Sequence, residues 1–161
     1  GKLGFIDTTG KEIIPPVYDD IGPFNQQGLA IVKKDGKWGA IDPIGKKVIP
    51  LIYSKVWSFS EQGLAIVKKD GKLGFIDTTG KEIIPLIYDD IGPFNQQRLA
   101  IVKKDGKRGV IDTTGKEIIP LIYDGSIELN TLSEKLVRIT VQIGEKWSDF
   151  VLYVPQDLGV R

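Results

Sequence analysis

Leu64-Ala65-Ile66-Val67-Lys68-Lys69-Asp70-Gly71-Lys72-Leu73-Gly74-Phe75-Ile76-Asp77 holds two runs of β-forming residues joined by Asp-Gly. Asp-Gly in that setting is the strongest short-range signal for a two-residue hairpin turn. The turn dictates a register. Lys69 should face Lys72, Lys68 should face Leu73, Val67 should face Gly74 and Ile66 should face Phe75. Alternation then sends Leu64, Ile66, Leu73 and Phe75 to one face and Ala65, Val67 and Ile76 to the other. Both faces are apolar away from the tip, so both should be buried.

The same stretch recurs at residues 29–42 and 99–112 and, loosened, at 136–151. The period is 35, which gives repeats at 1–35, 36–70 and 71–105 and a partial one at 106–124. Residues 125–161 read as a degenerate C-terminal capping repeat. Repeats one and three differ only at Pro16 against Leu86, Val17 against Ile87 and Gly28 against Arg98, the mark of a recent duplication.

Four short strands are expected per repeat. After the hairpin, Thr78-Thr79-Gly80 predicts a three-residue loop with glycine at the left-handed position. Residues 81–84 form the third strand, which Pro85 should end or confine to a sheet edge because proline has no N–H to donate. Residues 87–94 form the fourth, broken at Gly92-Pro93. In the tail, the turn is expected at 141–145, and residues 126–135 leave room for a short helical turn. No window holds a sustained helical period.

Composition removes several chemistries. The chain has 161 residues, 41% hydrophobic and 27% charged, with neither Cys nor His. Thiol and imidazole catalysis, disulfides and the usual zinc and haem ligands are therefore excluded. A net charge of +1 argues against nucleic-acid binding through bulk charge, and no apolar run is long enough for a membrane helix. Residue 1 is not Met, so a processed form or a fragment is expected. The lack of Cys suits an extracytoplasmic setting, secreted or in the cell envelope.

Asp35-Gly36-Lys37-Trp38-Gly39-Ala40-Ile41-Asp42, with Lys47-Val48-Ile49-Pro50 and Tyr53 after it, resembles the WG-repeat family, also called KWG repeats, found mainly in bacterial repeat proteins. The Trp of the motif is kept at Trp38 and Trp147 and replaced by Leu3, Leu73 and Arg108. The resemblance implies an all-β repeat scaffold and carries no catalytic residues.

Four sets of residues repeat with the period. Asp7, Asp42, Asp77 and Asp112 suggest either calcium or an Asx-turn; calcium needs six to eight oxygens, and no second acid lies near them in these loops, so the turn is the stronger reading. Glu12, Glu82 and Glu117 read as solvated rim positions, since catalysis needs carboxylates in different environments. Tyr18, Tyr53, Tyr88 and Tyr123 and Phe24, Phe59 and Phe94 read as core, with tyrosine the better candidate for exposure. The tip lysines Lys33, Lys34, Lys37, Lys68, Lys69, Lys72, Lys103, Lys104 and Lys107, with Arg98 and Arg108, are the candidate binding residues. Their plainer role is to keep edges from pairing between molecules. Asp19-Asp20 and Asp89-Asp90 should form a separate acidic stripe.

The fold expected is all-β: tandem 35-residue four-stranded β-meanders stacked face to face, as an open superhelical array or, alternatively, a closed propeller-like ring. The function expected is a non-enzymatic scaffold or binding module for a protein or an anionic polymer or glycan, with no cofactor and no metal. The alternative is a carbohydrate-active or other hydrolytic enzyme using Glu128, Glu134, Glu145 or Asp149 in the irregular tail.

Overall fold

In the computed structural model, which describes residues 1–155, all regular structure is β. β1 (Leu3–Ile6) and β2 (Glu12–Tyr18) make a first sheet of two strands. β3 (Asp20–Phe24), β4 (Ala30–Lys34), β5 (Lys37–Ile41) and β6 (Lys47–Tyr53) make the second. β7 (Lys55–Val56), β8 (Leu64–Lys69), β9 (Lys72–Asp77) and β10 (Glu82–Tyr88) make the third. β11 (Asp90–Ile91), β12 (Leu99–Lys104), β13 (Lys107–Asp112) and β14 (Glu117–Tyr123) make the fourth. β15 (Ile127–Thr131), β16 (Leu136–Ile143) and β17 (Lys146–Tyr153) make the fifth. Each sheet is a meander whose strands pair in chain order, and none closes into a barrel.

The Asp-Gly turns hold this pattern. Asp70 and Gly71 take φ of 52° and 78°, Asp35 and Gly36 51° and 80°, and Asp105 and Gly106 52° and 78°. Positive φ at both central residues marks the type I′ turn, whose twist matches that of the flanking strands. The β8–β9 register is the one the turn predicts, from Lys69↔Lys72 to Ile66↔Phe75. Ala65, Val67 and Ile76 are buried on one face and Leu73 and Phe75 on the other.

The third strand departs from expectation. It lies at a sheet edge as Pro85 requires, but it does not stop there. The equivalent pair β5–β6 shows how: Trp38 faces Tyr53 and Ala40 faces Ile49, so Gly39 alone spans a bulge at residues 50–52. The bulge absorbs the proline without ending the strand. Ile87 and Tyr88 therefore belong to β10, and the chain changes sheets at Asp89; residues 87–94 are not one strand.

The bulge also explains the motif glycine. A Cβ on Gly39 would lie 2.5 Å from the Ile49 carbonyl oxygen, and one on Gly74 would lie 2.4 Å from that of Ile84. Gly4 and Gly109 meet the same obstacle, at 2.3 and 2.6 Å. No side chain fits where the bulged backbone presses this close.

Two compact units divide the chain, Gly1–Ile87 and Tyr88–Arg161. In the first, Ile14 and Tyr18 pack with Ala30, Val32 and Ile41 on one face of the second sheet. Ala40, Ile49 and Tyr53 on its other face pack with Val56, Ala65, Val67 and Ile76 of the third. In the second unit, Leu99 and Val110 of the fourth sheet pack with Ile127, Val137, Ile139 and Val141 of the fifth. Sheets thus stack face to face within each unit. Each buried branched side chain contributes about 1.5–3 kcal/mol relative to exposure.

Tyr18, Tyr53 and Tyr88 are buried, whereas Phe24, Phe59 and Phe94 are only half-buried, reversing the expected order. Tyrosine faces the motif position across the ladder, as Tyr53 does Trp38, and so sits at the sheet-to-sheet contact. Burial, with Glu82 as a smaller cause, raises the Tyr53 hydroxyl above its ordinary pKa.

The tail differs as well. Residues 127–131 are a strand, not a helical turn, because Ile127 and Leu129 point inward while β15 pairs with β16 from Ile127↔Val141 to Thr131↔Val137. The turn is two residues long, Gly144-Glu145, with Ile143 facing Lys146. Positive φ falls on Gly144 alone, at 62°, the pattern of a type II′ turn. Residues 156–161 of the expected capping repeat lie outside the described residues.

Candidate functional site

The hairpin tips carry the charge, and strand pairing decides what surrounds each one. At the β4–β5 tip, Asp20 faces Lys33 across the ladder and the Asp19 carboxylate accepts the Asp35 N–H at 2.7 Å. Lys2 also forms an ion pair with Asp19, and this bond, ahead of the Asp35 N–H, lowers the Asp19 pKa. At the β12–β13 tip, Asp90 faces Lys103 and Asp89 accepts the Asp105 N–H at 2.8 Å. The two aspartate pairs therefore sit among the tip lysines; they do not form a separate acidic stripe. The reason is geometric: β3 and β11 pair with the tip end of the hairpin, so their first residues must lie at the tip.

The β8–β9 tip is built differently. Lys55 stands where the others have Asp20 and Asp90, and it faces Lys68. Ser54 stands in place of Asp19 and Asp89, and its hydroxyl donates to the Lys68 carbonyl oxygen at 3.0 Å. The balance of charge changes with them. The strand before the hairpin brings two aspartates to each of the other tips, Asp19 and Asp20 to that of Lys33 and Lys34, and Asp89 and Asp90 to that of Lys103 and Lys104. At the β8–β9 tip the same two positions hold Ser54 and Lys55, so the preceding strand brings a cation there and no acid.

Aromatic surface lies beside this tip. The Lys55 ammonium stands 4.7 Å from the centre of the Trp38 ring, and Lys33 stands 5.5 Å from it, both within cation–π range. Trp57 replaces Gly22 and Gly92 of the sister copies and is 41% exposed. Its N–H continues the ladder onto the Ile66 carbonyl oxygen at 2.9 Å.

The recurring aspartates act as turn caps. Asp77 Oδ1 accepts the Thr79 hydroxyl at 2.6 Å, the Thr79 N–H at 2.8 Å and the Lys81 N–H at 3.1 Å. Burial alone would raise the Asp77 pKa; these bonds outweigh it, and the carboxyl lies below its ordinary value. Asp7 and Asp112 accept the equivalent three bonds, and Asp42, with Ile44 in place of the threonine, accepts the two from backbone N–H groups. No group of three or more acidic residues that could hold a metal occurs among the described residues. Glu12, Glu82 and Glu117 are exposed, as are Glu128, Glu134, Glu145 and Asp149 of the tail.

A family profile described as "WG containing repeat" matches four times, at residues 4–38, 38–72, 74–107 and 109–147. The chain belongs to the WG-repeat family. No curated protein matches it in sequence. Among solved structures, it is similar to one described as the crystal structure of the N-terminal domain of Nup159, at 9% identity and a TM-score of 0.41 over 89% of this chain. The match spans 46% of that domain's length.

Within the WG motif, the Trp position faces the next strand's tyrosine, as Trp38 faces Tyr53. Arg108 occupies that position in the fourth sheet, faces Tyr123, and donates to the backbone carbonyl oxygens of Asp124 (3.2 Å) and Gly125 (3.4 Å). Its guanidinium serves the start of the tail rather than the tip. Lys107 pairs with Asp124 at 3.4 Å. Arg98 stands in the loop before β12, away from the tip. Sequence reasoning missed Lys55 and Trp57. The signal was visible: Ser54-Lys55-Val56-Trp57 stands where the sister repeats read Asp-Asp-Ile-Gly.

Proposed function

We propose that this WG-repeat chain is a non-enzymatic binding module for an anionic polysaccharide, and that the β8–β9 tip is its principal contact. The observation that carries the reading is the composition of that tip, where the preceding strand brings Ser54 and Lys55 in place of the two aspartates of the sister copies, and Lys55 faces Lys68. Exposed Trp57 offers a flat apolar surface suited to a sugar ring, and Lys55, Lys68 and Lys69 suit carboxylates along the polymer. Each exposed ion pair contributes about 0–1 kcal/mol, so useful affinity requires several contacts made by one chain. A bacterial extracytoplasmic setting would present such polymers.

The non-enzymatic reading is supported by the tail. Its acids are exposed, and Asp149 is engaged by the Thr140 hydroxyl at 2.7 Å. A glycosidase needs two carboxylates set a defined distance apart across a substrate.

The test is binding to polygalacturonate, an uncharged glucan and an acidic protein at low and physiological salt. We expect polygalacturonate to bind at low salt and to weaken steeply as salt rises. Replacing Lys55, Lys68 and Lys69 by Gln should abolish that binding; replacing Lys33, Lys34 and Lys37 should leave most of it. Equal binding by the first variant and the parent, or a preference for the acidic protein, overturns the reading.

A further inference from the structure

A cavity of about 350 Å³ lies in the second unit. Leu99, Ile118, Leu152 and Val154 give it apolar walls, and Arg98 lines it as well. That volume falls within the roughly 300–1,000 Å³ usual for small-ligand sites, which combine apolar walls with a few polar groups.

Arg98 is the residue that needs explaining. It closes the loop before β12, where its N–H donates to the Asn95 carbonyl oxygen at 2.9 Å. The loop requires left-handed backbone at this position. Gly28 and Gly63 supply it in the sister copies, with φ of 74° and 75°; Arg98 adopts φ of 61°. A residue with a Cβ is disfavoured there. Yet residues 71–105 differ from residues 1–35 at only three positions, and this is one of them. Backbone strain of this kind persists chiefly where the residue has work to do.

Among the described residues the guanidinium is also uncommitted. It has no hydrogen-bond or ion-pair partner among the described residues. Asp112 lines the same cavity, but its Oδ1 is taken by the Thr114 hydroxyl at 2.6 Å, the Thr114 N–H at 2.9 Å and the Lys116 N–H at 3.1 Å. Arginine's planar fork matches a carboxylate through two parallel bonds.

We propose that the cavity binds an organic acid, with its carboxylate on Arg98 and an apolar body against Leu99, Ile118, Leu152 and Val154. The site is separate from the hairpin tips and does not depend on what they bind. A free acid and the C-terminal end of a peptide share this chemistry.

Titration calorimetry with octanoate and octanamide tests the charge requirement. A short peptide ending in leucine, as free acid and as amide, tests the second source. Octanoate or the free-acid peptide should bind saturably, and whichever binds identifies the source. The matching amide should bind about tenfold more weakly or worse, the usual consequence of losing a charge-assisted pair. Arg98→Gly should bind at least tenfold more weakly than the parent while keeping the fold, since glycine is the residue of both sister copies here. Saturable binding of neither acid, an amide as tight as its acid, or unchanged affinity in Arg98→Gly overturns the proposal.

Discussion

The hairpins β8–β9 and β16–β17 share a backbone plan but differ in the strands around them. Both turn through two residues. One uses Asp70-Gly71 with positive φ at both, the other Gly144-Glu145 with positive φ at the first. Both turn types suit the twist of paired strands. The motif position after the Trp is Gly74 in one and Ser148 in the other. β9 is flanked by the edge strand β10, whose backbone at Ile84 and Pro85 presses on Gly74, whereas β17 is itself the edge of its sheet. The glycine is therefore a requirement of the neighbouring edge strand, not of the hairpin. Where no bulged neighbour presses on the second strand, a side chain is tolerated.

Substitution at these two positions tests that difference most strongly. Gly74→Ala would set a Cβ 2.4 Å from the Ile84 carbonyl oxygen and under 3 Å from Pro85. The backbone must shift, at a cost of about 3 kcal/mol, the upper end for overpacking. Ser148→Ala has no such neighbour and should change stability by less than about 0.5 kcal/mol. Urea denaturation of both variants measures the contrast; comparable losses would show that the hairpin itself needs the glycine.

The turns give a smaller contrast. Gly71→Ala and Gly144→Ala both place an L-residue at positive φ, 78° and 62°, with nothing within 4 Å of the new Cβ. The cost is then purely conformational, about 1–2 kcal/mol for each. If packing around the tips mattered, the two would differ, and the same denaturation series would reveal it.

Asp77 separates the repeats from the tail by pH. Asp77→Ala should cost about 1 kcal/mol, typical of a lost local cap, and added calcium should change nothing. The carboxyl's pKa is lowered in the folded protein. A lowered folded pKa means that the carboxylate's contribution is present above the unfolded value, near pH 4, and is lost as pH falls through the folded one. The gap between parent and variant should therefore be full at neutral pH and shrink below about pH 4. A gap constant down to acid pH, or a melting temperature that calcium raises only in the parent, would show that Asp77 is not simply a cap.

Much of this was legible in the sequence because the determining interactions are local. The Asp-Gly turns, the β8–β9 register, the Asx-capped Thr-Thr-Gly loops and the two buried faces all arise from residues close together in the chain. What escaped required knowing a neighbouring strand. The continuation of β10 past Pro85 depends on a bulge against Gly74. Residues 126–135 carry little local preference, and β15 exists only through its pairing with β16. The placement of Asp19 and Asp89 depends on β3 and β11 lying beside the tips, and the significance of Lys55 depends on that placement. The cavity beside Arg98 joins a loop of the fourth sheet to the end of β17, a juxtaposition no local pattern encodes.

Copy number gives the smallest expected effect. A 35-residue repeat carries both halves of a sheet-to-sheet contact, one face for the copy before it and one for the copy after it. The second sheet illustrates this: it buries Ala30, Val32 and Ile41 against one neighbour and Ala40, Ile49 and Tyr53 against the other. In a stack with nearest-neighbour energetics, an added unit brings its own interface and disturbs no other. Inserting a second copy of residues 71–105 should therefore leave the melting temperature unchanged or slightly raised, while the hydrodynamic radius grows. A ring behaves oppositely, because an extra member changes the angle at every contact and destabilises all of them together. A large drop in melting temperature, or a radius that does not increase, would favour the closed arrangement over the open one.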